Sequence, residues 1–78
     1  MAIITRFEKI PGEGRLHPTN VVAKVKTFGD PSKAPIVQID TMGSDEREIP
    51  GKLSQTIQLT EDSARQLFEI LRNTYQFR

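Results

Sequence analysis

The chain has no cysteine and no tryptophan, and a single histidine and a single tyrosine. Without cysteine there is no disulfide to staple a small fold, and without a cluster of His and Cys no structural zinc site can be built. Long apolar runs are missing too. The opening Met1-Ala2-Ile3-Ile4 is broken by Arg6, Glu8 and Lys9 before it reaches the length of a signal peptide core or a membrane span. The expectation is a soluble, cytoplasmic protein with no membrane partner. Titratable chemistry is equally sparse: one His, no Cys and no His-Glu-x-x-His pair leave little to act as nucleophile, base or metal ligand. No enzymatic activity, metal or cofactor is expected. His17, set between Leu16 and Pro18, reads as an exposed or turn-packing side chain.

At 78 residues the chain is one domain, spanning 1–78, and a domain this short keeps a large share of its surface in water. With disulfides and metals excluded, the remaining way to support a thin core is association with another chain. A homodimer is expected on that ground. Net charge is +1, but it is unevenly distributed. Residues 1–33 hold Arg6, Lys9, Arg15, Lys24, Lys26 and Lys33 against Glu8, Glu13 and Asp30, a balance of +3. Residues 34–60 hold Arg47 and Lys52 against Asp40, Asp45, Glu46 and Glu48, a balance of −2.

Four segments have strand character. Ile3 to Ile10 is rich in β-branched and aromatic residues and stops at Pro11-Gly12. After a loop over residues 11–20, Val21, Ala23 and Val25 alternate with Val22, Lys24 and Lys26, so a period of two sets the two lysines on one face. Gly29-Asp30-Pro31-Ser32 closes that strand as a turn. Ile36 to Thr41 is a third strand, with Val37 and Ile39 on one face and Gln38 and Asp40 on the other. The polar stretch Met42 to Arg47, read as a solvated hairpin tip, and the breaker Ile49-Pro50-Gly51 lead to a fourth strand. There Leu53, Gln55, Ile57 and Leu59 alternate with Ser54, Thr56 and Gln58.

Thr60 follows as an N-cap, its hydroxyl placed to accept from a free N–H of the first helical turn, and Glu61 and Asp62 suit the positive end of the helix dipole. Ala64, Leu67, Phe68, Leu71 and Tyr75 then recur at helical spacing to about Tyr75. The fold class expected is α+β: a four-stranded antiparallel sheet followed by one C-terminal amphipathic helix packed on it. Ile70 at the edge of the stripe and Phe77 beyond it add apolar surface that so small a sheet does not need. Phe68, Ile70, Leu71 and Tyr75 are therefore expected at a dimer interface.

The constellation with most chemical content is the polar face of the sheet. Lys24 and Lys26 would lie near Gln38 and near Ser54, Thr56 and Gln58, with Phe28 on the lysine face and Phe7 near it if the first strand's register allows. Surfaces that hold single-stranded nucleic acid combine cations for phosphates, hydrogen-bonding side chains and flat groups on which bases stack. An ordinary solvated face has the same two lysines. Pro11-Gly12-Glu13-Gly14-Arg15 lacks the Gly-Lys-Ser/Thr ending of a phosphate-binding loop and reads as a plain turn.

Four strands and a terminal helix, joined through Pro50-Gly51-Lys52 and Ile57-Gln58-Leu59-Thr60-Glu61-Asp62, resemble the positive cofactor four family of transcriptional coactivators over about residues 34–71. Ile36-Val37-Gln38-Ile39-Asp40 is similar to the strand that precedes the family's hairpin. Ser54, Gln55 and Thr56 stand where that family carries basic residues. The resemblance implies a homodimer whose helices meet across a two-fold axis and whose sheets bind single-stranded DNA. Two readings follow. One is a dimeric single-stranded DNA- or RNA-binding module, with Lys24, Lys26 and Lys52 as phosphate contacts, Phe28 as a stacking side chain, and Arg6 and Arg15 as outlying cations. The other is a protein-interaction factor that engages a protein partner through the Asp45–Glu48 hairpin or the helix, without nucleic acid.

Overall fold

A computed structural model describes residues 1–42 and 53–78. Its elements are β1 (Ala2–Ile4), β2 (Ala23–Phe28), β3 (Ile36–Met42), β4 (Leu53–Leu59) and α1 (Glu61–Tyr75). The class is α+β, with one four-stranded sheet and a C-terminal helix. The expected Lys52 contact, the acidic hairpin tip and the Pro50-Gly51 breaker lie outside the described residues.

The sheet runs in the order β1-β4-β3-β2, and it is mixed. This corrects the expectation of a purely antiparallel sheet. β2 with β3 and β3 with β4 form an antiparallel meander, but β1 adds to the outer edge of β4 in parallel, pairing Ala2, Ile3 and Ile4 with Ile57, Gln58 and Leu59. The parallel arrangement also accounts for the short first strand. Because both strands run the same way, Ile4 meets Leu59 just where β4 ends and Thr60 turns into the helix. Thr5 and the residues after it have no strand left to pair with. Instead the Phe7 N–H donates to Gln66 Oε1 on the helix at 2.7 Å, so the segment expected to continue the strand to Ile10 is tied to α1.

The helix starts as the sequence predicts, with one added feature. Thr60, in extended conformation, accepts the Ser63 N–H at 3.1 Å, and Ser63 Oγ in turn accepts the Thr60 N–H at 2.9 Å. This reciprocal box satisfies two otherwise free donors, with Ser63 in the place more often held by Glu or Gln. Ser63 is fully buried as a result of its position under the first turn. The helix ends at Gln76 in left-handed conformation (φ 59°, ψ 38°), whose backbone N–H returns to the Arg72 carbonyl, as does the Phe77 N–H at 3.0 Å. Both converge on one carbonyl near the helix end.

Helix and sheet meet chiefly along β4, the strand that runs straight into α1. On the helix Ser63 is buried and Ala64, Leu67 and Ile70 are half-buried. The apolar sheet face carries Val25, Ile39, Ile57 and Ala2 in one row and Thr27, Val37, Leu59 and Ile4 in the next, because residues opposed across neighbouring strands point to the same side. Leu59, at the foot of the helix, is the one buried apolar residue among those described, at 5% exposure, whereas Val25 at the far edge is 64% exposed. Phe68, Leu71 and Tyr75 on the helix also stand in solvent, and the Tyr75 and Phe77 rings stack with centroids 5.5 Å apart.

The dimensions agree with this open packing. The Cα radius of gyration is 14.9 Å, against about 11.5 Å for a compact chain of this length. The accessible surface is 7112 Å², against about 4,800 Å² for a compact monomer of this mass.

Candidate nucleic-acid interface

The opposite face of the sheet is polar, and the register builds it row by row. Lys24, Asp40 and Thr56 form one row; Lys26, Gln38, Gln58 and Ile3 form the next; Phe28 and Ile36 follow. Strand alternation places the two lysines and Phe28 on this side, and the β2–β3 pairing sets them against carboxylate, amide and aliphatic neighbours respectively.

Its centre is a continuous hydrogen-bond chain. Thr56 Oγ1 donates to Asp40 Oδ1 at 2.8 Å, and Gln38 Nε2 donates to Asp40 Oδ1 and Oδ2 at 3.0 and 3.2 Å. Gln58 Nε2 donates to Gln38 Oε1 at 2.9 Å. Gln38 and Thr56 are buried, at 9% and 5% exposure, and no buried side-chain polar atom among the described residues lacks a partner. A satisfied chain of this kind fixes its side chains, since any member turned away would leave a neighbour unpaired in a partly desolvated setting. Asp40 was legible as a member of this face, but its place as the hub was not. That place depends on Thr56 lying opposite it, a register that strand alternation alone does not supply.

Lys24 and Lys26 flank the chain from the exposed edge strand, and neither forms an ion pair with a described residue. Phe28 is 45% exposed beside them. These three residues share one surface, as the alternation predicts. Arg6 does not join them. It follows β1, at the opposite edge of the sheet, about 14 Å from β2 at the usual strand spacing, and it pairs with Glu8 at 2.6 Å. Arg15 lies in the wholly exposed segment 11–20, where His17 Nδ1 accepts the Thr19 N–H at 3.0 Å in a local turn. Phe7 is half-buried near the helix, away from Phe28.

The expected interface residues divide as well. Phe68, Leu71 and Tyr75 form an exposed stripe, while Ile70 is half-buried and faces the N-terminal segment. There it lines an open cavity of about 490 Å³ with Phe7, Lys9, Arg65, Gln66 and Glu69. Among the described residues no group of three His, Cys, Asp or Glu side chains is placed to hold a metal ion, and no helix is long and apolar enough to cross a membrane. Comparison with protein-family models, with curated proteins and with solved structures finds no match to this chain.

Proposed function

We propose that the chain is a single-stranded nucleic-acid-binding module that works as a homodimer, with the polar sheet face as its contact surface. The observation that carries this reading is the grouping of Lys24, Lys26 and exposed Phe28 on one face with the chain of amides and hydroxyls from Gln38, Thr56 and Gln58. Ammonium groups with no ion-pair partner among the described residues suit phosphates, and an exposed ring offers a platform for a base. The resemblance to the positive cofactor four family points the same way.

The homodimer rests on surface. The uncovered apolar groups, Val25 on the sheet and Phe68, Leu71 and Tyr75 on the helix, are the ones a second copy would cover.

Fluorescence anisotropy with a labelled oligonucleotide at low salt tests the contact surface. Binding at micromolar protein is expected, weakening as salt rises because neutralised phosphates release counterions. Lys24→Ala with Lys26→Ala should flatten the log–log salt slope by about 1.4, the share of two phosphate contacts on a single strand. Absence of binding at low salt rejects the proposal.

One observation favours a protein partner instead: Asp40 puts a carboxylate between Lys24 and Thr56, so the charge on the face is mixed. Pull-down from a cell extract with and without nuclease separates the two readings, because a protein partner survives nuclease treatment.

A further inference from the structure

The sheet has two outer edges, and they are not alike. β1 offers three residues, and the chain beyond it is tied to the helix. β2 offers six, from Ala23 to Phe28, with no proline, no glycine and an uninterrupted register on β3. All six are exposed, and among the described residues no backbone group pairs with the side of β2 turned away from β3. Alternate residues of an edge strand point their N–H and C=O groups outward, so the edge is a template for a further strand.

Charge selects the strand that can be added. Residues opposed across an antiparallel pair point to the same side, so a second copy of β2 brings lysine to lysine. A two-fold axis at Lys24 or at Lys26 opposes that residue to itself, and an axis at Val25 opposes each Lys24 to a Lys26. Like charges directly opposite are unfavourable. Asp40, on the inner side of Lys24, does not neutralise the edge, because its carboxylate accepts from Thr56 and Gln38 and forms no ion pair among the described residues. Acidic residues two apart on an incoming strand meet Lys24 and Lys26 together, and the residue between them lies beside Val25, 64% exposed on the other face. We infer that the β2 edge is a docking site for an extended acidic segment of a partner protein. The segment adds as a fifth strand antiparallel to β2, with carboxylates opposite Lys24 and Lys26 and an apolar residue opposite Val25. Main-chain hydrogen bonds hold such a segment, and the alternation of its side chains selects it. The site does not require the nucleic-acid reading but uses the same lysines, so a bound segment competes with any oligonucleotide on this face.

Fluorescence anisotropy with a labelled peptide, Thr-Val-Glu-Val-Glu-Val-Thr with blocked ends, provides the test. The unmodified protein should bind it. Two further peptides carry N-methyl groups, one on both glutamates and one on the valines, and only one of these two sets of N–H groups faces β2 in an added strand. Methylation of that set should weaken binding about tenfold or more through lost main-chain hydrogen bonds, while methylation of the other set should leave it in place. Lys26→Glu should weaken the plain peptide about three- to tenfold, an attractive cross-strand pair being exchanged for a repulsive one. One of the two peptides with a single glutamate replaced by lysine should recover the loss. Absence of binding by the plain peptide, or equal effects of the two methylations, overturns the inference, as does failure of both single-lysine peptides to recover binding to a Lys26→Glu variant that is folded by circular dichroism. Each of these results leaves the proposed function standing, because that is read with an oligonucleotide and no peptide.

Discussion

Lys24 and Asp40 face each other across β2 and β3, yet they form no ion pair, because the Asp40 carboxylate is occupied by Thr56 Oγ1 and Gln38 Nε2. The carboxylate serves the interior of the sheet face, and the Lys24 ammonium has no ion-pair partner among the described residues. Lysines on an exposed edge strand also discourage edge-to-edge pairing between molecules. This second role gives Lys24 and Lys26 a reason to be present even without a ligand. The two roles separate experimentally, because loss of edge protection appears as aggregation and loss of a phosphate contact as a changed salt slope.

Removal of the Asp40 side chain should destabilise the fold through its partners. In Asp40→Ala the buried Thr56 hydroxyl and the Gln38 amide lose their acceptor, at a cost of about 1–3 kcal/mol. Lys24→Ala should cost less than about 0.5 kcal/mol, as for an exposed side chain with no partner among the described residues. Urea denaturation of the two variants checks the order, and a larger loss from Lys24→Ala would show that the ion pair forms in solution.

The box at the start of α1 yields a coupled pair. Thr60→Ala should cost about 1 kcal/mol, the usual worth of an N-cap side chain. Ser63→Ala removes the return bond to the Thr60 N–H and should cost a similar amount. The double variant should cost less than the two losses added, since each hydroxyl holds the other's geometry. Strict additivity in a denaturation cycle would mean that the two bonds form independently.

Thr60 and its helix were legible because cap, acidic first turn and apolar period all agree over residues 60–75, and the meander of β2, β3 and β4 was legible from alternation. The parallel pairing of β1 was not, since Ala2-Ile3-Ile4 carries no signal for which edge it will join. The same limit left open which part of the apolar stripe the monomer covers. The stripe Phe68, Leu71 and Tyr75 has the period of a buried face, but period records apolarity and not what covers it. On the site, side-chain alternation placed Lys24, Lys26 and Phe28 correctly on one face. Arg6, an outlying cation in that reading, was assigned to a strand that ends two residues earlier.

The Gly29–Lys33 turn gives a pH-dependent observable. Asp30 Oδ1 accepts the Ser32 hydroxyl at 2.6 Å and the Ser32 N–H at 2.9 Å, and these bonds hold its carboxyl below the usual value of 3.8, the hydroxyl contributing most. Because the folded value is depressed, the turn's contribution is complete above the unfolded value and is lost as pH falls through the lower folded one. An NMR titration of the Asp30 carboxyl should therefore show a midpoint under 3.8, moving back up in Ser32→Ala. A midpoint that Ser32→Ala leaves unchanged would place the cause elsewhere.

The exposed helix stripe decides the state of assembly. If Phe68, Leu71 and Tyr75 are covered by a second copy, sedimentation at micromolar concentration should give twice the 8.8 kDa chain mass. Leu71→Asp should then yield monomer, because a carboxylate buried in an apolar seam without a partner costs more than a standard contact returns. The control is Asn73→Asp, on an exposed position on the opposite side of the same helix, which should leave the dimer intact. A folded monomer in the unmodified protein would leave the apolar stripe without a second copy to cover it, and would shift the balance toward a protein partner of another kind on Phe68, Leu71 and Tyr75.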